Sequence, residues 1–271
     1  MRSKVCATLL AATLLIPAFR CHATNATPEA VAPEGNNVEI CIEKEFEWEF
    51  WWEAGADLAS NYLWRGYDQT YDGKMFTPSI QPSASIGYGM FYLELWGSFA
   101  FNGSYHELDV ALGFEYEDLT ITLYDVYSNF SAPYFGSYEE SGHSLTATID
   151  YLLFDRLNLH WATTLAGGYD YTAEGKRAYS SYFEIGYTQP VKDMFDIEIH
   201  AGASPYTAPY WCTGPDFDFD NPAKGFNVTR LSLTLSREFE TDWATFPVSV
   251  GYTYNPTTER HYALIMAGVS F

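Results

Sequence analysis

The sequence predicts an all-β protein that folds as an antiparallel transmembrane β-barrel of about twelve strands. Three observations predict it. Hydrophobic residues alternate with polar ones at a period of two, the connections between the alternating runs are alternately short and long, and the chain ends on an aromatic residue inside such a run. A period of two places alternate side chains on opposite faces of a strand, whereas a helix repeats every 3.6 residues.

Twelve alternating runs begin after residue 45. In the run 90–102, for example, Phe91, Leu93 and Leu95 share one face, and Glu94 and Trp96 lie on the other. Strands of about 10–13 residues tilted by about 40° stand roughly 25–30 Å tall, which matches the hydrocarbon core of a bilayer. An apolar face on every run, opposite a face with many carboxylates, favours a barrel in lipid over a soluble sandwich. The runs are 46–65, 76–88, 90–102, 105–117, 119–128, 143–154, 157–170, 178–189, 194–205, 226–238, 244–254 and 260–271.

The ends of the chain predict export and assembly. Arg2 and Lys4 precede an apolar run over 6–19 that is too short to span a bilayer, so we expect residues 1–23 to be a signal peptide. We expect 24–45 to be a periplasmic tail or a plug, and 46–271 to be a barrel in the Gram-negative outer membrane. The terminal Phe271 resembles the signal read by the barrel assembly machinery, which we expect as a partner together with outer-membrane lipid.

Aromatic residues near the predicted strand ends are typical of the girdles that border a lipid-facing band. Asp125 is an exception to the alternation of apolar and polar faces, because this acid falls on the face predicted to contact lipid. The predicted girdle residues are Trp48, Phe50, Trp51, Trp52, Tyr62, Trp64, Trp161, Trp243, Tyr252 and Tyr254.

Two cysteines, Cys41 and Cys212, remain after the predicted signal peptide. The topology places Cys41 on the periplasmic side and Cys212 in an outer loop, at least about 25 Å apart. Because a disulfide needs Cα atoms within about 7 Å, we predict that these cysteines do not pair. Only a tail threaded up through the barrel would bring them together.

The charge balance of the sequence predicts which solutes the interior of the barrel favours. Lys and Arg number 14 against 35 Asp and Glu, a net charge of −21, which excludes a general nucleic-acid binder. A ring of like charge biases permeation towards the opposite sign, so we expect passive, cation-preferring passage of small polar or cationic solutes. The predicted interior side chains are Glu49, Glu53, Asp57, Asn61, Arg65, Gln81, Glu94, Glu107, Asp109, Glu115, Asp150, Asn158, His160, Glu184, Asp196, Glu198, His200 and Arg230.

Two interior arginines, Arg65 and Arg230, are predicted near the outer ends of their strands. Each either stiffens the wall by pairing with carboxylates or forms a constriction that orients a polar solute. The longest loop, 206–225, is a second candidate constriction if it folds inward.

The sequence gives little support to the hypothesis that this protein is an enzyme. His143 and His261 fall near the outer rim, but no spacing with serine and acid singles out a triad. We therefore expect no catalytic residues and no cofactor.

The sequence also gives little support to the hypothesis of a metal-binding site. His160, Glu184 and His200 lie on successive strands at different heights. Asp216, Asp218 and Asp220 begin a calcium-loop pattern that fails at Asn221 and Asn227. We expect no metal site. The alternative function is a closed surface barrel whose outer loops bind a partner or divalent cations.

Residues 57–69 read D-L-A-S-N-Y-L-W-R-G-Y-D-Q. This segment resembles the opening strand of the TorF-type porin family, S-N-Y-x-W-R-G, at Ser60, Asn61, Tyr62, Trp64, Arg65 and Gly66. The later strings L-W-G-S at 95–98 and E-L-D at 107–109 are similar to the same family, and the likeness extends over about 57–128. The resemblance implies an outer-membrane barrel with a transport role and supplies no catalytic residues.

Overall fold

The chain forms a closed barrel of twelve antiparallel strands, which confirms the predicted fold class and strand number. The computed structural model describes residues 48–70, 76–128, 142–167, 170–211 and 222–271. Cys41, Cys212 and the acidic stretch 216–220 lie outside these residues, as do the predicted signal peptide and tail. Within the described ranges, no helix is long and apolar enough to cross a bilayer.

The described residues form fourteen strands, of which β1 and β4–β14 form the barrel and β2 and β3 form a small separate ribbon. The ring closes where β1 pairs with β14. The strands are β1 (Phe50–Ala59), β2 (Leu63–Trp64), β3 (Tyr67–Asp68), β4 (Ser79–Tyr88), β5 (Phe91–Ala100), β6 (His106–Tyr116), β7 (Leu119–Ser128), β8 (His143–Leu153), β9 (Leu157–Gly167), β10 (Ser181–Val191), β11 (Phe195–Ser204), β12 (Asn227–Glu240), β13 (Thr245–Asn255) and β14 (Arg260–Ser270).

The apolar face of the strands points outward. On β5, Leu93 and Leu95 are 41% and 47% exposed, whereas Glu94 and Trp96 between them are 1% and 2% exposed. This reverses the arrangement of a soluble protein, and it follows from the alternation because successive side chains on a strand point to opposite faces. Each barrel strand pairs on both sides, so the ring has no free edge strand.

The two ends of the barrel differ in their connections. At one end, here the short-turn end, the strands are joined by two to four residues, at 89–90, 117–118, 154–156, 192–194 and 241–244. At the opposite, long-loop end the connections include 60–78, 129–142, 168–180 and 205–226, with two shorter ones at 101–105 and 256–259. β1 begins and β14 finishes at the short-turn end, where the Phe271 N–H donates to the Ala54 carbonyl at 2.9 Å.

The first predicted run is wrong beyond residue 59. β1 pairs with β4 along all ten of its residues but with β14 only over Gly55–Ala59. At Ser60 the chain leaves the wall. The Ser60 N–H donates to the Ile265 carbonyl at 2.8 Å, and its hydroxyl oxygen accepts the Ile265 N–H at 2.9 Å. Ser60 thus satisfies the backbone of β14 at the point where β1 turns into the barrel.

Asp125 lies on the outward face of β7, as the alternation predicts. Its carboxylate is 2.8 Å from Nδ1 of His143, and the His143 ring stacks on Tyr127 at a centroid distance of 4.6 Å. The acid is therefore paired on the outer face close to the long-loop end.

Candidate functional site: a crossbar inside the barrel

Residues 60–70 fold into the barrel as a compact unit, here called the crossbar. It contains the β2–β3 ribbon, whose turn is made by Arg65 and Gly66 at φ of 50° and 88°. The Gln69 N–H donates to the Tyr62 carbonyl at 2.8 Å, and the Asn61 side-chain amide donates to Asp68 at 2.7 Å. These contacts give the crossbar its own internal structure, independent of the wall.

Tyr62 joins the crossbar to the wall formed by β5 and β6. Its hydroxyl donates to Glu107 at 2.7 Å, and its ring lies 5.2 Å from Trp96 and 5.9 Å from Tyr105. Tyr105 also donates to Glu107. Burial, and next to it the Glu107 carboxylate, raises the pKa of both tyrosines. The phenols therefore remain hydrogen-bond donors, and Glu107 is satisfied by neutral partners.

Arg65 joins the crossbar to the wall formed by β9 and β10. Its guanidinium carbon lies 3.8 Å from the Trp211 ring centroid, 4.6 Å from that of Tyr182 and 4.8 Å from that of Trp64. Burial lowers the pKa of the Arg65 guanidinium to about 10, so the group stays charged at neutral pH. Contacts of a cation with three aromatic faces in a desolvated site are stabilising, by about 0.5–2 kcal/mol each.

The same guanidinium fixes the tautomer of His160. Nη2 of Arg65 lies 3.2 Å from His160 Nε2, and His160 Nδ1 lies 2.8 Å from the Asp150 carboxylate. Arginine only donates hydrogen bonds, so Nε2 must accept, and the ring proton is on Nδ1 and is donated to Asp150. A neutral His160 thus links Arg65 to an interior carboxylate.

The described part of the longest loop also folds inward. Trp211 is buried, and its indole N–H donates to the Ser180 carbonyl at 2.6 Å. Ala208 and Trp211 pack with the interior residues Ala162 and Tyr182. The structure shows the inward fold for Ala208 and Trp211, whereas 212–221 lie outside the described chain, so the constriction itself stays a prediction.

Gly66 and Leu63 join the crossbar to β12, β13 and β14. The Gly66 carbonyl accepts a hydrogen bond from the Asn255 side chain at 3.0 Å, and its Cα lies against the Thr229 carbonyl. Leu63 packs with Leu264 and other interior residues of β14. The crossbar thus lies inside the barrel and is held from three parts of the ring.

A second polar network lies on β10, β11 and β12. Nη1 of Arg230 is 3.1 Å from both carboxylate oxygens of Glu184, and His200 Nδ1 is 2.9 Å from one of them. Glu198 accepts the Ser236 hydroxyl at 2.5 Å, and its other oxygen is 3.8 Å from His200. Arg230 thus forms an ion pair with Glu184, the contact that the first of its two predicted roles requires.

Other predicted interior carboxylates have no cation beside them. Glu53, Asp57, Glu94 and Asp109 all point inward, and none forms an ion pair within the described part of the chain. β6, which carries Asp109, is six strands from β12 in both directions around the ring. The interior acids without a cationic partner therefore include residues of β1, β5 and β6, whereas Arg230 on β12 pairs with Glu184 on β10.

Two expectations for these residues are corrected. Arg65 is not on the first strand, since it lies in the crossbar turn. Tyr62 and Trp64 are not girdle residues, because Tyr62 is buried and Trp64 packs on Trp211 at 4.6 Å. The sequence signal for the crossbar turn is the Arg65-Gly66 pair that follows the long alternating run, because glycine readily takes the positive φ that a tight turn requires.

The candidate metal ligands do not come together. His200 bonds Glu184, whereas His160 bonds Asp150 and Arg65. Among the described residues, no three or more His, Cys, Asp or Glu side chains are arranged to hold a metal ion.

No family model and no curated protein matches this chain. Solved barrels similar to it include a KdgM porin (10% identity, TM-score 0.43), covering 81% of this chain and 98% of that one, and a NanC porin (9%, 0.45) with the same coverage. A COG4313 outer-membrane channel from Pseudomonas putida F1 (8%, 0.38) covers 81% of this chain and 94% of that one. At these identities and TM-scores no function is carried over, and the fold assignment rests on the strand pairing itself.

Proposed function

We propose that this protein is a porin-like barrel of the Gram-negative outer membrane that gives passive, cation-preferring passage to small polar or cationic solutes. The observation that carries the proposal is the row of interior carboxylates on β5 and β6. Glu94 and Asp109 face the barrel axis and have no cationic partner within the described chain, and Glu107 is satisfied by phenols. A lumen with uncompensated negative charge attracts cations and repels anions.

The outer surface supports a membrane location. Every barrel strand presents apolar side chains outward, such as Leu233 and Val250, which are 48% and 52% exposed. In water such a surface would drive aggregation, whereas in lipid it is stable because the closed ring satisfies its backbone hydrogen bonds internally. Phe271, on the outer face beside Trp243 at 6.0 Å, is the proposed signal for the assembly machinery.

The crossbar lies inside the barrel and contacts three parts of its wall, and we infer that passage requires it to leave its seat. Its attachments are three clusters of contacts at Tyr62, Arg65 and Gly66, and its internal ribbon lets it move as one unit. The proposal is therefore a gated channel with two states, one seated and one withdrawn.

Reversal potentials of the refolded protein in planar bilayers under a KCl gradient test the proposal. We expect a potential of the sign that cation preference gives, and a shift towards zero in Glu94→Gln. The matched control is Asp242→Asn, an exposed acid in a short turn, which should leave the potential unchanged. Anion preference, or no conductance under any voltage, would refute the proposal.

The crossbar inside the barrel also favours a second candidate, a surface barrel whose outer loops bind a partner or divalent cations. The two differ in what happens when the crossbar is unseated. A channel conducts when the crossbar is displaced by substitution, whereas a barrel that serves only as a scaffold for loops stays silent in both forms.

A further inference from the structure

The wall made by β5 and β6 has an unusual set of interior side chains, here called the β5–β6 wall. They are Glu94, Trp96 and Ser98 on β5 and Glu107 and Asp109 on β6. Trp96 pairs directly with Asp109 and Ser98 with Glu107, whereas Glu94 pairs with the residue two positions beyond Asp109. Glu94 and Asp109 are therefore diagonal neighbours, close enough for their charges to interact.

Four of these five side chains have polar atoms that are buried and unsatisfied. Both carboxylate oxygens of Glu94, Oδ1 of Asp109, Nε1 of Trp96 and Oγ of Ser98 lack a hydrogen-bond partner within the described chain. All four side chains are at most 2% exposed. Burial of a carboxylate without a partner is strongly unfavourable, and two adjacent carboxylates also repel each other.

We propose that the β5–β6 wall is a binding subsite for a small organic cation, a protonated amine that carries a hydroxyl group. The inference rests on the proposed function, because the solute reaches this wall through the lumen after Tyr62 has withdrawn from Trp96. The ammonium group donates hydrogen bonds to Glu94 and Asp109 and lies against the indole face of Trp96. The hydroxyl oxygen of the solute accepts the hydrogen bond that Trp96 Nε1 donates.

The hydrogen-bond donors and acceptors of the β5–β6 wall favour a hydroxylated ammonium compound over other ligands. Two carboxylates repel an anion. Ca²⁺ and Mg²⁺ prefer six or more oxygen ligands, and the described residues provide no cluster that could hold a metal ion. The indole N–H is a donor, so the solute must also present an acceptor. A hydroxylated ammonium compound supplies both, and the aromatic face favours an organic cation over a strongly hydrated inorganic one.

Equilibrium dialysis of radiolabelled 2-aminoethanol against the refolded full-length protein tests the subsite. We expect saturable binding of about one molecule per chain. Glu94→Gln and Asp109→Asn should each raise the Kd at least tenfold. The matched control is Asp57→Asn, which removes another buried interior carboxylate without a cation, on β1, and should change the Kd less than twofold.

Competition on the unmodified chain keeps the test independent of whether a variant folds. Ethylamine should compete about two- to tenfold more weakly, the difference expected for one lost hydrogen bond, and 1,2-ethanediol at equal concentration should not compete. The inference would be overturned if Glu94→Gln and Asp109→Asn bound 2-aminoethanol as tightly as the unmodified chain does. It would also be overturned if KCl displaced 2-aminoethanol as effectively as ethylamine does. Amine binding without conductance would refute only the channel proposal, and conductance without amine binding would refute only the subsite.

Discussion

Replacement of Gly66 by alanine is expected to unseat the crossbar. Gly66 has φ of +88°, and an added Cβ would overlap the carbonyl group of Thr229. The obstacle is backbone of the barrel wall, which cannot rotate away as a flexible side chain does. The same turn carries the hydrogen bond from Asn255 to the Gly66 carbonyl, which is lost if the turn shifts.

Two effects set the magnitude. A residue with a Cβ in the left-handed region costs about 1–2 kcal/mol relative to glycine. Steric overlap in a packed interior adds about 1–3 kcal/mol. Together they disfavour the seated state by about 2–5 kcal/mol, which multiplies the ratio of withdrawn to seated crossbar roughly 30-fold to 4000-fold.

Single-channel recording and limited trypsin digestion measure this change in two independent ways. The open probability should rise in Gly66→Ala, and trypsin should cleave faster after Arg65, which is 5% exposed when seated. The matched control is Gly103→Ala, where φ is +72° and no atom lies within 4 Å of the added Cβ. It has the same backbone strain without the overlap, and it should behave as the unmodified protein.

The reasoning would be refuted by a folded Gly66→Ala barrel whose open probability and Arg65 cleavage rate equal those of the unmodified chain. Equal effects of Gly66→Ala and Gly103→Ala would also refute it, because backbone strain alone would then explain the change. Folding of each variant is verified beforehand by heat-modifiable migration on gels.

Arg65→Lys should loosen the crossbar by about 1–2 kcal/mol, since an ammonium stacks less well on aromatic faces than a planar guanidinium, and open probability measures it. Glu107→Gln should lower the cation-to-anion permeability ratio in reversal-potential measurements, and an unchanged ratio would contradict the assigned role of the carboxylates. Deletion of Phe271 should reduce the assembled, heat-modifiable fraction in the outer membrane, and undiminished assembly would exclude it as a signal. Non-reducing mass spectrometry should find no Cys41–Cys212 peptide, whereas a bridged peptide would indicate a tail threaded into the barrel.

The seated crossbar gives a physical role to the motif that resembles the TorF-type porins. Its serine caps the edge of β14, its tyrosine reaches Glu107, its arginine occupies the aromatic site with Trp211, and its glycine allows the turn to approach Thr229. Each of these contacts reaches a different part of the wall. The motif therefore encodes a single inward-folded unit that is fixed around the ring.

The barrel follows from local features of the sequence. The period of two, the twelve runs and the alternation of apolar with acidic faces are local properties, and a strand turns local alternation directly into two faces. The inward positions of Glu94, Glu107 and Asp109 followed from the same alternation, because a closed ring leaves each side chain only two directions. These features need no knowledge of which distant residues meet.

The end of the first strand and the position of the crossbar inside the barrel depend on contacts between distant parts of the chain. Apolar residues recur on one face at Leu58, Tyr62 and Trp64, so the single polar Ser60 between them gives little local sign that the strand ends there and the chain turns inward. That turn is stabilised by partners far away in the chain: Ile265 on β14, Glu107 on β6, and Trp211 in a loop with no periodic pattern of its own. Arg65 could be placed on the interior side from sequence, but its aromatic surroundings depend on contacts among three separate segments. Such contacts arise only when the ring closes, because closure is what brings β6, β10 and β14 around the same axis.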